Sequence, residues 1–342
     1  MLLNSFIFLI SYMIYIIAQS HKPQFNIAME EYCFTQLSQY DKVFMLWINE
    51  PSIIVGKHQN TLQEVNMQFV RENDIHVVRR ITGGGAVYHD RNNLNYTIIS
   101  NERKGASFDF KTFSEPVIQT LHDLGVEAKF SGRNDIFVEG KKICGNAQAY
   151  KNGRILHHGC LLFDTNLSVL LKALEVPKDM IESKSVSSVR SEVSNIKPFL
   201  KEDLSVDDFA EKILQHMKRK FPEMQEYCFS KSEMLEIEKN AEEKFSSWNW
   251  NFGHSPQSTF TRNTHFTAGK IQVFISVKNG AIERIKFYGT FFGNNSDLSA
   301  LERHLEGVQY SPEAVLAALK TVNTAEYFAG FSVEEVTEAI VS

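Results

Sequence analysis

The 342-residue chain is poor in several features that usually decide a protein's class. Its four cysteines, Cys33, Cys144, Cys160 and Cys228, form no C-x-x-C pair and sit in apolar surroundings. That excludes a disulfide framework and a cysteine zinc site, and predicts reduced, mostly buried thiols of a cytosolic protein. No Lys or Arg precedes Lys22, although residues 1–18 are strongly apolar. A secretory signal needs a basic start and a small-residue cleavage site, and a membrane span needs about 20 apolar residues with charged flanks. The segment meets neither template. A net charge of -5 gives no global reason to expect nucleic acid. There is no internal repeat and no low-complexity segment. No G-x-x-x-x-G-K-[S/T] occurs, Gly56-Lys57-His58 lacking both the upstream glycine and the hydroxyl, and no Rossmann fingerprint is spaced correctly. Any nucleotide is therefore held on a different scaffold.

The length predicts two domains, and 43% hydrophobic residues supply a sizeable core. Met13-Ile14-Tyr15-Ile16-Ile17-Ala18 reads as a buried first strand. Met13 is accordingly expected to be the natural start, with residues 1–12 an upstream extension. A helix is predicted over 26–39 from an Asn cap, strands over 43–48, 52–56, 75–81 and 94–100, and helices over 65–72 and 110–124. Residues 136–138 and 141–144 around Glu139-Gly140 read as a hairpin. Helix 206–220 ends in a basic run, read as a solvated face, and 233–245 is similarly polar and helical. Beyond Gly253 the texture becomes a smaller α+β unit. Ile271, Val273, Ile275 and Val277 alternate, Asn279-Gly280 signals a turn, Ile285 and Phe287 continue the return strand, and helices follow over 296–305 and 312–320. The whole is a mixed sheet with helices, of α/β or α+β class.

The most informative stretch is Arg79-Arg80-Ile81-Thr82-Gly83-Gly84-Gly85-Ala86-Val87-Tyr88-His89-Asp90. Consecutive glycines can reach φ > 0 and bring backbone N–H groups onto an anion, and two guanidinium groups add charge. A phosphorylated or carboxylate ligand fits that arrangement. Lys141 and Lys142 lie on a strand and point to opposite faces, so one of them can enter a cleft. Asn134 and Asp135 have the chemistry to contribute to a magnesium site or to position an amine, although Asp135 equally suits a turn cap. Val78, Val87, Leu46 and Tyr88 offer apolar surface to an acyl chain, although each equally suits ordinary core, which is the expected place of Val78 and Leu46. The pairs His157-His158 and His89-Asp90 suggest a metal site and a dyad, but adjacent residues on a strand diverge, so a structural or pocket-shell role is expected.

Four further segments join the glycine loop: Phe25-Asn26-Ile27-Ala28-Met29-Glu30-Glu31, the run from Ser131-Gly132-Arg133-Asn134-Asp135 through Lys142-Ile143-Cys144-Gly145-Asn146-Ala147, Leu156-His157-His158-Gly159-Cys160-Leu161-Leu162-Phe163, and Ser187-Ser188-Val189-Arg190-Ser191. With Trp248-Asn249-Trp250-Asn251-Phe252-Gly253, this order resembles lipoate–protein ligase over nearly the whole chain. The resemblance implies the biotin/lipoate ligase-like α+β fold, with a catalytic domain over 13–253 and a C-terminal accessory domain over 254–342. It implies ATP and Mg²⁺, free lipoate as substrate, and transfer through a lipoyl adenylate. The acceptors it implies are the lipoyl domains of 2-oxoacid dehydrogenase complexes and the glycine-cleavage carrier protein, with no nucleic acid and no membrane. Its Lys-[Ile/Val]-x-Gly pattern selects Lys142 as the catalytic cation, with Cys144 where relatives often carry Ser. It places Arg80 and the Gly84, Gly85, Ala86, Val87 and Tyr88 backbone, together with Asn134 and Asp135, around nucleotide and lipoyl carboxylate.

An ammonium between carboxylate and α-phosphate would shield two anions that otherwise repel. The nearest rival is an octanoyl transferase, which uses a cysteine acyl carrier and no ATP. In one transferase lineage that cysteine lies shortly before the His-Gly pair, where this chain has Ile155 and Leu156. Cys144, beside Lys142, is the one thiol that would revive that reading. A non-catalytic lipoate- or nucleotide-binding regulator is disfavoured by the intact Arg80 and Lys142 motifs.

Overall fold

A computed structural model of the chain describes residues 13–59, 61–101, 109–175, 192–251, 260–278, 281–295, 297–310 and 312–341. The expected extension at 1–12, the 187–191 motif, Phe252-Gly253 and the Asn279-Gly280 turn lie outside them. In chain order the strands are β1 (Met13–Ile17), β2 (Lys42–Trp47), β3 (Ser52–Val55), β4 (His76–Arg79), β5 (Val87–His89), β6 (Asn93–Asn101), β7 (Lys129–Ser131), β8 (Asp135–Val138), β9 (Lys141–Lys151), β10 (Arg154–Leu162), β11 (Gln225–Glu226), β12 (Phe260–Phe266), β13 (Gly269–Lys278) and β14 (Ala281–Gly289). Eight form one mixed sheet in the order β11-β1-β2-β6-β10-β9-β8-β7. A second sheet, β4-β3-β5, joins a parallel pair and an antiparallel pair. The third, β12-β13-β14, is antiparallel.

The apolar run of β2 follows from burial on both faces. Phe44 and Leu46 join one core with Tyr96, Ile98 and the inner faces of the helices Phe110–Asp123 and Val206–Lys220. Val43, Met45 and Trp47 join another with the helix Pro23–Gln36 and the small sheet. That helix begins on a proline at its first turn, three residues before the predicted Asn cap. Asn26 caps nothing because its amide is drawn into tertiary bonds, donating to Ser20 O at 2.9 Å and Asn49 Oδ1 at 2.9 Å.

The expected helix over 65–72 is present as Met67–Glu72, starting where the Asn66 side chain caps Phe69 N, and a short helix, Thr61–Glu64, precedes it. Lys231–Asn240 starts on a Ser230/Glu233 capping box and relaxes into a π-helical turn at Ala241–Phe245. In the hairpin between β8 and β9, Glu139 and Gly140 both take positive φ, 49° and 78°, as a tight primed turn requires. The C-terminal sheet packs Ile271, Val273, Ile275, Ile285 and Phe287 against the helices Ser299–Leu305, Pro312–Leu319 and Val333–Val341. No helix among the described residues is long and apolar enough to cross a membrane.

Candidate active site

A cavity of about 100 Å³ lies between the large sheet and the small one. Its floor is a single cross-strand row: Trp47 of β2 pairs with Asn95 of β6, Asn95 with Cys160 of β10, Cys160 with Gly145 of β9, and Gly145 with Asp135 of β8. Directly opposed residues share a face, and strands lie about 4.8 Å apart, so three steps from Trp47 to Gly145 cover roughly 14 Å. Ile27, Ile54, Val87 and His89 line the cavity as well. One end is therefore aromatic and aliphatic. The other carries Lys142, Asn134 and Asn146.

A β-bulge determines which lysine reaches it. Phe137 of β8 opposes Lys142, but the next residue, Ile136, opposes Cys144, so Ile143 is the extra residue on β9. Strict alternation would have put Lys142 and Cys144 on one face. With the bulge, Ile143 and Cys144 both enter the core beneath the sheet, while Lys142 and Gly145 share the cavity side. Lys141 faces outward to Glu192 at 3.2 Å. Lys142 Nζ lies 2.9 Å from Asp135 Oδ1, with side-chain exposures of 25% and 18%. Gly145 makes that placement possible, since a Cβ there would stand 2.9 Å from the ammonium. Asp135 Oδ1 is buried with no hydrogen-bond donor of its own, leaving the lysine as its charge partner. Asn134 and Asn146 are tied reciprocally, each amide donating to the other's backbone carbonyl.

The two arginines behave differently from the expected open anion clamp. Arg79 is buried and donates to the carbonyls of Gly56, Gln59, Trp250 and Asn251 and to the Thr61 hydroxyl, so it staples the 56–59 turn to the Trp248–Asn251 helix outside the cavity. Arg80 lines the cavity but is also mostly committed. Its guanidinium donates to Ile54 O, Gly83 O, Gly85 O and Thr82 Oγ1 at 2.6–3.0 Å, fixing the glycine loop from below. Burial pushes both guanidinium groups down to about 10, which leaves them charged at neutral pH. Gly84 sits at φ 90°, the left-handed backbone that the loop demands of glycine. Of the neighbouring positions, Gly84, Gly85 and Val87 line the cavity. Ala86 and Tyr88 pack behind the small sheet, with Ile53 and Val55. Leu46 and Val78 belong to cores, as expected, and the apolar side chains that line the cavity are Val87, Ile54, Ile27 and Trp47. Periodicity could not reveal this, because it depends on which sheet faces which.

The histidine pairs divide as strand geometry requires. His158 lines the cavity, its Nδ1 2.8 Å from Glu30 Oε1 and its Nε2 2.8 Å from Thr82 Oγ1. The fully buried Glu30 carboxylate only accepts, so it takes the His158 Nδ1–H, and Nε2 of the neutral ring accepts from the Thr82 hydroxyl. His157 faces away, between Gln148 and Tyr96. Among the described residues no group of three or more His, Cys, Asp or Glu side chains converges as a metal site. Burial raises the Cys144 thiol well above its ordinary value and pushes Cys160 up to about 12, so neither is a ready nucleophile.

The C-terminal unit closes the loop from above. The His58 ring stacks on Phe291 with centroids 4.8 Å apart, and Gly289 N donates to His58 O. Phe292 packs against Phe110 and Ala147, with the Arg133 guanidinium 4.6 Å over its ring. These contacts, like Glu30, were not apparent in the sequence. Glu30 left one signal, its place in the Phe25–Glu31 segment directly after the apolar Ile27-Ala28-Met29 run.

A cavity between two sheets, a glycine loop and the cavity-facing Lys142 belong here to an α+β fold of the lipoate-ligase class. The chain belongs to the lipoyl protein ligase A/B catalytic domain family, whose model matches residues 22–218, and residues 255–340 match the bacterial lipoate protein ligase C-terminus. It is 42% identical to lipoate-protein ligase LplJ of Bacillus subtilis over 93% of this chain and 96% of that protein. The crystal structure of P. falciparum LipL1 in complex with lipoate superposes with a TM-score of 0.77 at 23% identity, covering 96% of this chain and 99% of the other, a likeness of fold. Lipoate-protein ligase A bound with ATP superposes with a TM-score of 0.59 at 26% identity, covering 71% of this chain and 98% of that one.

Proposed function

We propose that this protein joins free lipoate to ATP, releasing pyrophosphate, and then passes the lipoyl group from lipoyl-AMP to a lysine of a carrier domain. The observation that carries the reading is the Lys142 ammonium at the charged end of an apolar floor, under a positive-φ glycine loop. The lipoyl chain lies along the row from Trp47, bringing its carboxylate to Lys142. A carboxylate oxygen attacks the α-phosphorus, and the bond from that phosphorus to the bridging oxygen breaks as pyrophosphate leaves. Lys142 sits where both anions must meet and lowers their repulsion in a partly dry site. The loop N–H groups take the phosphate oxygens, with Arg80 supporting the loop and supplying field. Asp135, whose Oδ1 pairs with the Lys142 ammonium at 2.9 Å, would offer its carboxylate to a Mg²⁺ held mainly by the nucleotide, which would neutralise phosphate charge. In the second step the carrier's neutral lysine amine attacks the acyl carbon and AMP departs.

The carriers in this reading are lipoyl domains of 2-oxoacid dehydrogenase complexes and the glycine-cleavage carrier protein. A cytoplasmic site of action fits the four unpaired cysteines. The catalytic domain takes residues 13–253 and the accessory domain 254–342. Incubating the protein with ATP, lipoate and each purified carrier, and weighing the carriers by mass spectrometry, tests it. The expected result is one lipoyl adduct that needs ATP. Modification from an acyl thioester without ATP would support the transferase instead.

A further inference from the structure

His89 is used by nothing in that mechanism, yet it lines the cavity and is buried. Its ring meets Trp47 edge-on with centroids 5.8 Å apart, so it stands at the end of the floor farthest from Lys142. Its orientation is fixed by a chain of amides. Asn26 Nδ2 faces the backbone carbonyls of Ser20 and Ile48, which only accept, so that atom is a nitrogen and its other neighbour, 2.9 Å away, is Asn49 Oδ1. Turning Asn49 over would set two amide nitrogens against each other. Asn49 Nδ2 therefore donates to His89 Nδ1 at 3.1 Å. With Nδ1 accepting, the one ring proton of a neutral His89 is on Nε2. Burial, with Arg80 and His158 nearby, pushes the ring down to about 3, so it is neutral at working pH. Of the other donors at this end, Trp47 Nε1–H goes to Thr97 Oγ1 at 3.0 Å, and the Asn95 amide gives one of its two N–H groups to Trp47 O at 3.3 Å.

We infer that His89 is a specificity-determining residue, whose Nε2–H, set by the Asn26–Asn49 relay, donates to the sulfur end of the bound acid and so separates a dithiolane acid from a plain fatty acid. The inference rests on the lipoate reading, which fixes the carboxylate at Lys142 and hence the ring at Trp47. An N–H to sulfur bond is weak, and its value here comes from the dry surroundings and from leaving a buried donor unpaired when the chain carries only CH₂ groups. Asn26 and Asn49 are positioning residues that act through His89.

The test compares kcat/KM for lipoate and for octanoate, which has the same chain length and no sulfur, in pyrophosphate release from ATP. Wild type, His89→Gln, His89→Phe and Asn49→Leu are measured side by side. Gln keeps an N–H near the Nε2 position and Phe removes it. The lipoate-to-octanoate ratio is expected to fall about tenfold in His89→Phe, chiefly through KM for lipoate, to stay within about threefold of wild type in His89→Gln, and to fall between these in Asn49→Leu. An unchanged ratio in His89→Phe, or an equal fall in Gln and Phe, overturns the inference. Wild type releasing no pyrophosphate with either acid overturns the underlying reading instead.

Discussion

Lys142 owes its place to two neighbours that carry no charge, the bulged Ile143 and the side-chain-free Gly145. Lys142→Ala is expected to lower adenylate formation by at least about 10²-fold, the scale of losing one charge-stabilising group, while the melting temperature stays close to wild type. Lys141→Ala should keep most activity. Gly145→Ala is the sharper variant: its Cβ would meet the flexible end of Lys142, 2.9 Å from Nζ, so the fold should survive while the ammonium is displaced and adenylation falls. A Gly145→Ala enzyme as active as wild type would show that the lysine need not stand there. The thiols give a pH test. Cys160, pushed up to about 12, stays protonated across the neutral range, so alkylation of native protein at pH 8 should label exposed Cys228 first and gain on Cys160 only as pH climbs toward that value. Early labelling of Cys144 or Cys160 would restore the acyl-cysteine reading.

At the scale of elements, the glycine loop is held by protein groups before any ligand arrives. Gly84→Val is expected to abolish nucleotide and lipoate binding, because the 90° φ is costly for a β-branched residue and its side chain would fill the loop. Arg79→Met should destabilise by roughly 3 kcal/mol in chemical denaturation, since several buried carbonyls lose their donor together. Its effect on ligand affinity should be secondary. Much of the element layout was legible: the 206–220 helix matched its observed ends, and the Glu139-Gly140 turn was signalled by its residue types. The Arg79-Arg80 pair was legible as cations but not as loop staples, because their acceptors at Ile54, Trp250 and Asn251 are remote in sequence. The Trp47-to-Asp135 floor was hidden for the same reason, being a product of four registers. Asn26 was misread as a cap because its bonds are tertiary, although Pro23 marked the true start.

On the scale of the whole molecule, the C-terminal unit contributes Phe291 and Phe292 to the cover of the glycine loop. An adenylate made under that cover must be shielded from water and then exposed to a bulky carrier, so the unit is expected to adjust between the two steps. Truncation after Gly253 should damage adenylation more than transfer from supplied lipoyl adenylate, and equal activity of both forms in the complete reaction would refute this. The central claim is that Lys142 assists ATP-dependent activation of a free acid, and counting pyrophosphate against lipoyl groups transferred tests it most directly. The account predicts one pyrophosphate per modified carrier lysine in wild type and almost none of either in Lys142→Ala, with supplied lipoyl adenylate restoring carrier modification but not pyrophosphate release. Carrier modification by wild type without pyrophosphate release, or normal release by Lys142→Ala, would contradict it.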